Sequence, residues 1–521
     1  VLLTLLKSFC KANNLSRFFL VIILTGIVLH LTFILISAIS TVLYPYQTHQ
    51  FGEWESLYQS ILISQGANPY VVGDKTFATA IPYHFIYPLL CALPVKLFGP
   101  DFWIGRSISI AMYGFILLLM YWILRKHFKL SYSFVFLGLI LSLVVQNATG
   151  YSLFKFHPNA LCVALGLLSL LMAPPGYRPV RYWIPALLVA IVCFYVKQTG
   201  VFFLATLLIV MLARHRYNAI IMALAAVVAT FAIGLTAYFL MGKDYIFFCY
   251  ILPSGFQFDW SRLNEGVYFL FCFSFLFTLP SLPLLIRIRA LFDPFMLATI
   301  LSIVFSVYSF AIWGGTETNF VFCLFLLSIT TARAAAIFMR RKQKLPVIAI
   351  LIAELALIGQ LWGPFHKGNI PGKSDEAAAR HILDLMSKSD ETVLALDEQQ
   401  MAYLAGKPIY TSANTMDQFR QAGIESYPRI EQMITLQQFD MVAINGLRLT
   451  IYEERTIRLF HLLREYYCVD EIIRSNSFSS PMFIMRPWTD TDNSTKHSLL
   501  GLNESNVNDS DSSFFVRFCK K

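Results

Sequence analysis

The feature that most constrains this chain is the recurrence of long apolar runs separated by short basic clusters. A run of about 20 apolar residues lets a helix cross a hydrocarbon layer, and shorter runs suffice where the bilayer adapts. By that measure the chain divides into eleven candidate spans: Phe18–Tyr44, Phe102–Leu124, Ser131–Gln146, Pro158–Met172, Tyr182–Val196, Gly200–Ala213, Tyr217–Met241, Gly266–Ile286, Pro294–Trp313, Phe320–Met339 and Leu345–Trp362. With 14% charged residues, against about 25% in soluble domains, composition excludes an ordinary soluble protein. The net charge of +10 does not point to nucleic acid, because Lys and Arg cluster in the connections between the runs.

Those connections orient the chain. Arg125–Lys129, Pro174–Arg181, Arg214–Arg216, Arg287–Arg289 and Arg340–Lys344 each carry a basic cluster, and alternate connections are mixed or acidic. The pattern is regular if the N-terminus is cytoplasmic and Pro82–Phe98 lies in the interface rather than crossing. Three prolines, Pro82, Pro88 and Pro94, also argue against a straight span there. Lys7, Lys11 and Arg17 precede the first run with no small-x-small cleavage site, so that helix reads as uncleaved.

Residues 1–363 thus form a transmembrane domain, with a first outer loop at 45–101 that carries interfacial helices. A Gly/Pro/Lys linker occupies 364–374. From 375 to 488 helical patterns alternate with short β-type runs, Thr392–Leu396, Pro408–Tyr410, Phe439–Ile444, Tyr467–Ile472 and Met482–Met485, which read as a small α/β domain on the outer face. Gly406 reads as a helix C-cap. The polar stretch 489–521 reads as disordered. The nine cysteines include no Cys-x-x-Cys pair and read as small membrane hydrophobes rather than a disulfide framework.

Ionisable residues near membrane depth are costly and mark function. Glu53 and Glu55 stand at the start of a helix-patterned segment just beyond the first span. Their two-residue spacing turns them about 200° apart, so one of the two is expected to face a given pocket. Beside the outer ends of later spans lie Arg106, the series Lys155-Phe156-His157-Pro158-Asn159, the corner Lys197-Gln198-Thr199, and Asn319 after a Gly-Gly turn. Each has a bland alternative as a helix cap or an interfacial anchor. Together, acids from one loop and Lys, Arg and His from others suit deprotonation of a hydroxyl while a phosphate leaves.

The ordered series Gly52-Glu53, Gly66-x-x-Pro69-Tyr70, Tyr87-Pro88, Phe98-Gly99, Arg106, His157-Pro158-Asn159-Ala160-Leu161, Lys197-Gln198-Thr199 and Gly315 to Asn319-Phe320 resembles bacterial integral-membrane glycosyltransferases of the GT-C superfamily. Within it the chain is similar to the branch of protein O-mannosyltransferases and lipid A aminoarabinose transferases. The resemblance runs through residues 45–330 and extends to Ala405-Gly406-Lys407-Pro408 and Phe439-Asp440. It implies a bacterial cytoplasmic membrane, a polyprenyl-phosphate-linked sugar donor and inverting transfer to a glycan, lipid or protein hydroxyl outside the cytoplasm.

By position the resemblance makes Glu53 the catalytic carboxylate, and the ligand of a divalent cation if one takes part. Glu55 is the alternative. Arg106, Lys155, His157, Asn159, Lys197, Gln198 and Asn319 become contacts to donor phosphate or acceptor. Where many relatives have Arg-Pro-Asp this chain has His157-Pro158-Asn159. Two other readings stand beside the enzyme: a transporter or flippase of a lipid-linked anion, and a catalytically inactive binding relative.

Overall fold

The computed structural model describes residues 14–47, 52–70, 83–149, 152–176, 178–270, 292–312, 316–341, 372–389, 392–396, 398–411, 415–416, 418–419, 428–445, 458–474, 482–488, 495–498 and 515–518. Most of the expected span Gly266–Ile286, the whole of Leu345–Trp362, and residues 364–371 of the linker lie outside them.

The longer helices of the transmembrane region among the described residues are α1 (Asn14–Leu43), α2 (Glu53–Ser64), α3 (Ile86–Phe98), α4 (Phe102–Trp122), α5 (Tyr132–Ala148), α6 (Asn159–Met172), α7 (Ile184–Val196), α8 (Val201–Met241), α9 (Pro294–Ala311) and α10 (Val321–Arg340). Five stretches are long and apolar enough to cross a membrane, Phe102–His127, Gln198–His215, Ala219–Met241, Pro294–Ala311 and Thr318–Arg340, and the remaining apolar helices are shorter. α10 lies at the centre, with Val321–Thr331 buried without interruption.

The two spans expected on either side of Arg214–Arg216 are both present, as Gln198–His215 and Ala219–Met241. Residues expected as two helices joined by the loop Arg214–Arg216 form one helical assignment of 41 residues, α8. A straight helix of that length would measure about 62 Å, twice the hydrocarbon thickness. Its contacts show that it doubles back. His215 lies beside Trp183 at the start of α7, whereas Thr230 accepts a hydrogen bond from Tyr195 near the end of α7. A Cβ on Gly234 would meet the same Tyr195 hydroxyl at 2.9 Å.

The Pro82–Phe98 segment yields α3, whose 13 residues measure about 20 Å, short of the hydrocarbon thickness as α6 and α7 also are. Both ends meet the first two turns of α4: Tyr87 bonds Gly105 O and Ser109 Oγ, and Phe98 packs on Trp103. α3 therefore lies across the end of α4 rather than along it. One side exposes Leu89, Leu90, Leu93 and Leu97, while Tyr87, Cys91 and Val95 are buried on the other, the pattern of an interfacial helix.

The C-terminal region has α11 (Lys373–Lys388), α12 (Gln399–Leu404), α13 (Pro428–Thr435) and α14 (Arg458–Tyr466) around a mixed sheet. Its strands are β1 (Val393–Ala395), β2 (Met441–Asn445), β3 (Tyr467–Ile473), β4 (Met482–Pro487), β5 (Thr495–Ser498) and β6 (Phe515–Phe518), in the order β1-β2-β4-β3-β6-β5. Four of the five β-type runs read from sequence are strands. Pro408–Tyr410 is not, and Gly406, at φ 70° after α12, ends that helix as expected.

Two sequence expectations are corrected here. β5 and β6 belong to the polar tail expected to be disordered, and they are ordered by pairing with each other and, through Val469 and Phe518, with β3. Cys468 is disulfide-bonded, so it is not a membrane hydrophobe like the buried free thiols Cys91, Cys162, Cys193, Cys249 and Cys323.

The α/β domain sits on the end of the bundle that carries α2 and α3. Tyr44 and Tyr46, after α1, join Ala379, Met386, Met441 and Ile484 in one core. Tyr70, Tyr245 and Phe248 join Leu394, Phe419 and Phe439 in another.

Candidate active site

α2 begins at Glu53 because Gly52 supplies a left-handed turn, φ 106°, that other residues resist. Glu55 Oε2 accepts the Gly52 N–H at 3.1 Å and closes the helix start. Glu53 and Glu55, turned in different directions by helical spacing, are 1% and 5% exposed. Both are enclosed because α2 is covered on more than one side: Arg106 of α4 reaches Glu53, and Tyr403 of α12 packs on Trp54 with ring centroids 5.4 Å apart.

Arg106 is fully committed. Its Nε donates to Glu53 Oε1 at 2.9 Å and one terminal nitrogen donates to Glu53 Oε2 at 2.8 Å and to Tyr46 O at 2.7 Å. The other terminal nitrogen donates to Thr41 O at 2.8 Å and to Tyr44 O. Those five contacts exhaust the five guanidinium N–H groups. Expected as a phosphate contact, Arg106 here fastens the end of α1, whose last carbonyls have no helical partner, to the start of α2.

Glu53 in turn accepts the Phe156 N–H at 2.8 Å, so its two oxygens receive three N–H groups. Burial alone would raise its pKa, but the charge and hydrogen bonds of Arg106, helped by Lys155 and the Phe156 amide, hold it at about 2. A carboxylate held so low is a weak proton acceptor. It is equally ill-suited to a cation, with its oxygens already engaged, and no group of three metal-ligating side chains gathers among the described residues.

The loop fastened by Phe156 carries Lys155 and His157 to the start of α6. Close approach there depends on Gly105, where a Cβ would lie 2.3 Å from the Phe156 ring. α6, at 14 residues, measures about 21 Å, short of a full bilayer crossing. The Lys197 corner arises because Lys197 is extended (φ −154°, ψ 135°). Gly200 permits the close return, since a Cβ there would meet Cys193 O at 2.7 Å.

These two turns meet. Lys197 Nζ donates to Asn159 Oδ1 at 2.8 Å and lies 5.1 Å from the Tyr83 ring centroid. The Tyr83 hydroxyl is 3.2 Å from His157 Nε2. Lys155, Asn159 and Lys197 are 2%, 0% and 4% exposed. Burial lowers the pKa of both lysines to about 8, opposed at Lys155 by Glu53. Burial, then the neighbouring Lys197 charge, pushes His157 well below the usual histidine range. Among the described residues, no third group hydrogen-bonds the enclosed His157 Nδ1 and Asn159 Nδ2, which is unusual for native interiors.

The other sequence candidates are used locally. Gln198 Nε2 donates to Cys249 O at 3.1 Å. Asn319 Nδ2 donates to Ser309 O at 3.1 Å and Asn319 O accepts from Ser306, contacts that hold the turn between α9 and α10. Tyr83 is the site residue that sequence reading missed. It follows Pro82 at the mouth of α3, and tyrosine in an interfacial segment has an ordinary explanation as an anchor.

The fold is a bundle of apolar helices with the short helices α2 and α3 at one end and an α/β domain over the same end. Two solved structures share that fold. The apo crystal structure of ArnT from Cupriavidus metallidurans matches with a TM-score of 0.55 and 12% identity, over 88% of this chain and 97% of that one. ArnT from the same organism bound to undecaprenyl phosphate matches with a TM-score of 0.52 and 11% identity over the same shares. At such identity it is the fold that is held in common. No family model and no curated protein sequence matches the chain.

Proposed function

We propose that the protein is a membrane glycosyltransferase that moves a sugar from a polyprenyl-phosphate donor to an extracytoplasmic hydroxyl, with inversion. The observation that carries this reading is the buried Lys197–Asn159–His157 cluster, in which no third group among the described residues hydrogen-bonds His157 Nδ1 and Asn159 Nδ2. It stands in a chain whose fold is shared with a protein crystallised with undecaprenyl phosphate.

In the proposed reaction the acceptor oxygen attacks the sugar carbon, the carbon–oxygen bond to phosphate breaks, and its electron pair leaves on the lipid phosphate. Lys197, Asn159 and His157 bind that phosphate and stabilise the charge it gains. Lys155 adds positive charge beside Glu53. The acceptor proton is assigned to Glu55, because Glu53, clamped by Arg106, is a positioning residue. The Cys468 disulfide supports an oxidising compartment for the α/β domain, and hence for this end of the bundle.

The test is purified protein in liposomes with a panel of radiolabelled polyprenyl-phosphate sugars. Release of free polyprenyl phosphate is the expected result. Movement across the bilayer without chemistry would make the protein a transporter, and binding without turnover would make it an inactive relative.

A further inference from the structure

α12 turns two faces to two different surroundings. Met401 and Ala402 are buried in the core of the α/β domain, and the helical repeat puts Gln399, Gln400 and Tyr403 on the other side, toward α2 and the 45–47 segment. Gln400 is spent on that segment: its Oε1 accepts the Gln47 N–H at 2.6 Å, and its Nε2 donates to Pro45 O at 3.3 Å. Tyr403 packs on Trp54 and Tyr58 of α2, with ring centroids 5.4 and 6.4 Å away. Those two rings stack on each other at 5.4 Å and 28°.

The seam so formed holds N–H groups that the described residues do not use. Gln399 and Trp54 are each 2% exposed, yet among the described residues nothing hydrogen-bonds Gln399 Nε2 or Trp54 Nε1. Gln59, 1% exposed, repeats the pattern with an enclosed and unmatched Nε2. It stands one turn beyond Glu55 on the same face of α2, about 6 Å along the axis. Buried donors are normally matched, and leaving three of them dry opposes folding unless a ligand engages them.

The chemistry of that ligand is constrained. Three donors call for several acceptor oxygens at close spacing, and aromatic rings call for a flat C–H surface on the same molecule. The Glu55 carboxylate, next in the chain to Trp54, disfavours an anion. A sugar ring meets all three conditions, with hydroxyl oxygens at its edge, C–H groups on its faces and no charge. A peptide brings one side-chain hydroxyl together with backbone N–H groups, which would face the seam's own donors.

We propose that the seam between α2 and α12 is the acceptor subsite, and that the acceptor is a saccharide. Gln399 and Trp54 donate to its hydroxyl oxygens, and Tyr58 and Tyr403, both partly exposed, carry its C–H face. Gln59 holds the sugar whose hydroxyl is placed at Glu55. What happens at that hydroxyl rests on the glycosyltransferase reading; the saccharide binding itself does not.

The experiment uses the full chain in nanodiscs. Saturation-transfer NMR is recorded with the methyl glycosides of glucose, galactose, mannose and N-acetylglucosamine and, separately, with a peptide containing serine and threonine. The expected result is saturable binding of at least one glycoside and none of the peptide. Gln399→Leu and Tyr403→Ala should each weaken that glycoside about tenfold and leave affinity for undecaprenyl phosphate unchanged. Gln399→Leu removes an unmatched buried donor, so the variant should be at least as stable as the wild type; a glutamine that only held the two domains together would lose stability on the same change. Binding of no glycoside, equal glycoside binding in the wild type and both variants, binding of the peptide in a glycoside's place, or a less stable Gln399→Leu overturns the proposal. Glycoside binding that responds as expected, with no polyprenyl-phosphate sugar turned over, keeps the subsite and sinks the transferase reading; turnover onto the peptide alone does the reverse.

Discussion

The Arg106 clamp gives the sharpest prediction, because its partners are unequal. Glu53→Gln keeps the side chain's size but replaces two acceptor oxygens by one oxygen and an NH2, so a buried donor among Arg106 and the Phe156 amide faces another donor. Breaking one side of a buried pair costs about 3–5 kcal/mol. Arg106→Met loses the same pair and also strips the donors from Thr41 O, Tyr44 O and Tyr46 O. With about 1 kcal/mol or more for each dry carbonyl, it should be less stable than Glu53→Gln by roughly 3 kcal/mol. Arg106→Lys keeps the charge but places its N–H groups on a single nitrogen, and should fall between wild type and Arg106→Met. Denaturant unfolding in micelles, followed by tryptophan fluorescence, measures the order, with release of polyprenyl phosphate measured on the same preparations. Turnover should be lost in Glu53→Gln because the Lys155–Asn159 loop loses its anchor. If Arg106→Met proves no less stable than Glu53→Gln, the grip on the end of α1 contributes nothing and the clamp argument fails; full turnover in Glu53→Gln removes the positioning role.

The remaining predictions concern the parts around the clamp. Gly105→Ala forces the Phe156 ring aside and should cost about 1–3 kcal/mol with a parallel loss of turnover; unchanged activity in a folded variant would show that the loop tolerates the shift. Lys197, at about 8, loses its proton as pH rises through that value, so affinity for undecaprenyl phosphate should fall between about pH 7 and 9. Lys197→Arg, which stays charged, should bind across that window without the decline, as read by titrations at each pH. Cys468 should resist alkylation in the denatured protein until a reductant is added, whereas Cys162 and Cys193 react without one; peptide mass mapping distinguishes them.

The expectations that held were those carried by local pattern. Five of the apolar runs are long enough to cross a membrane, four β-type runs became strands, and the proline-bearing segment before α4 lies across the end of that helix. Partner choice was less legible. Arg106 read equally well as an anchor or an anion contact, since nothing in the sequence around it shows that three carbonyls of a chain segment 60–65 residues away would converge on it. The same holds for Glu53: its neighbours said helix start, and its low pKa comes from Arg106 and from a backbone amide 103 residues further on.

By itself, the sequence determined that this chain carries apolar runs of membrane-crossing length, and it led to the expectation that its polar side chains collect at one end under an α/β domain. Those properties follow from hydrophobicity and charge, which are summed over local windows. The tertiary structure decided which of those side chains face a ligand and which are spent on one another. A hydrogen bond needs two atoms within about 3 Å, and only the packing of α2, α4, α6 and the Lys197 corner brings such atoms together. It assigned Arg106 to the backbone, Glu53 to Arg106, and left Lys197, Asn159 and His157 around Tyr83.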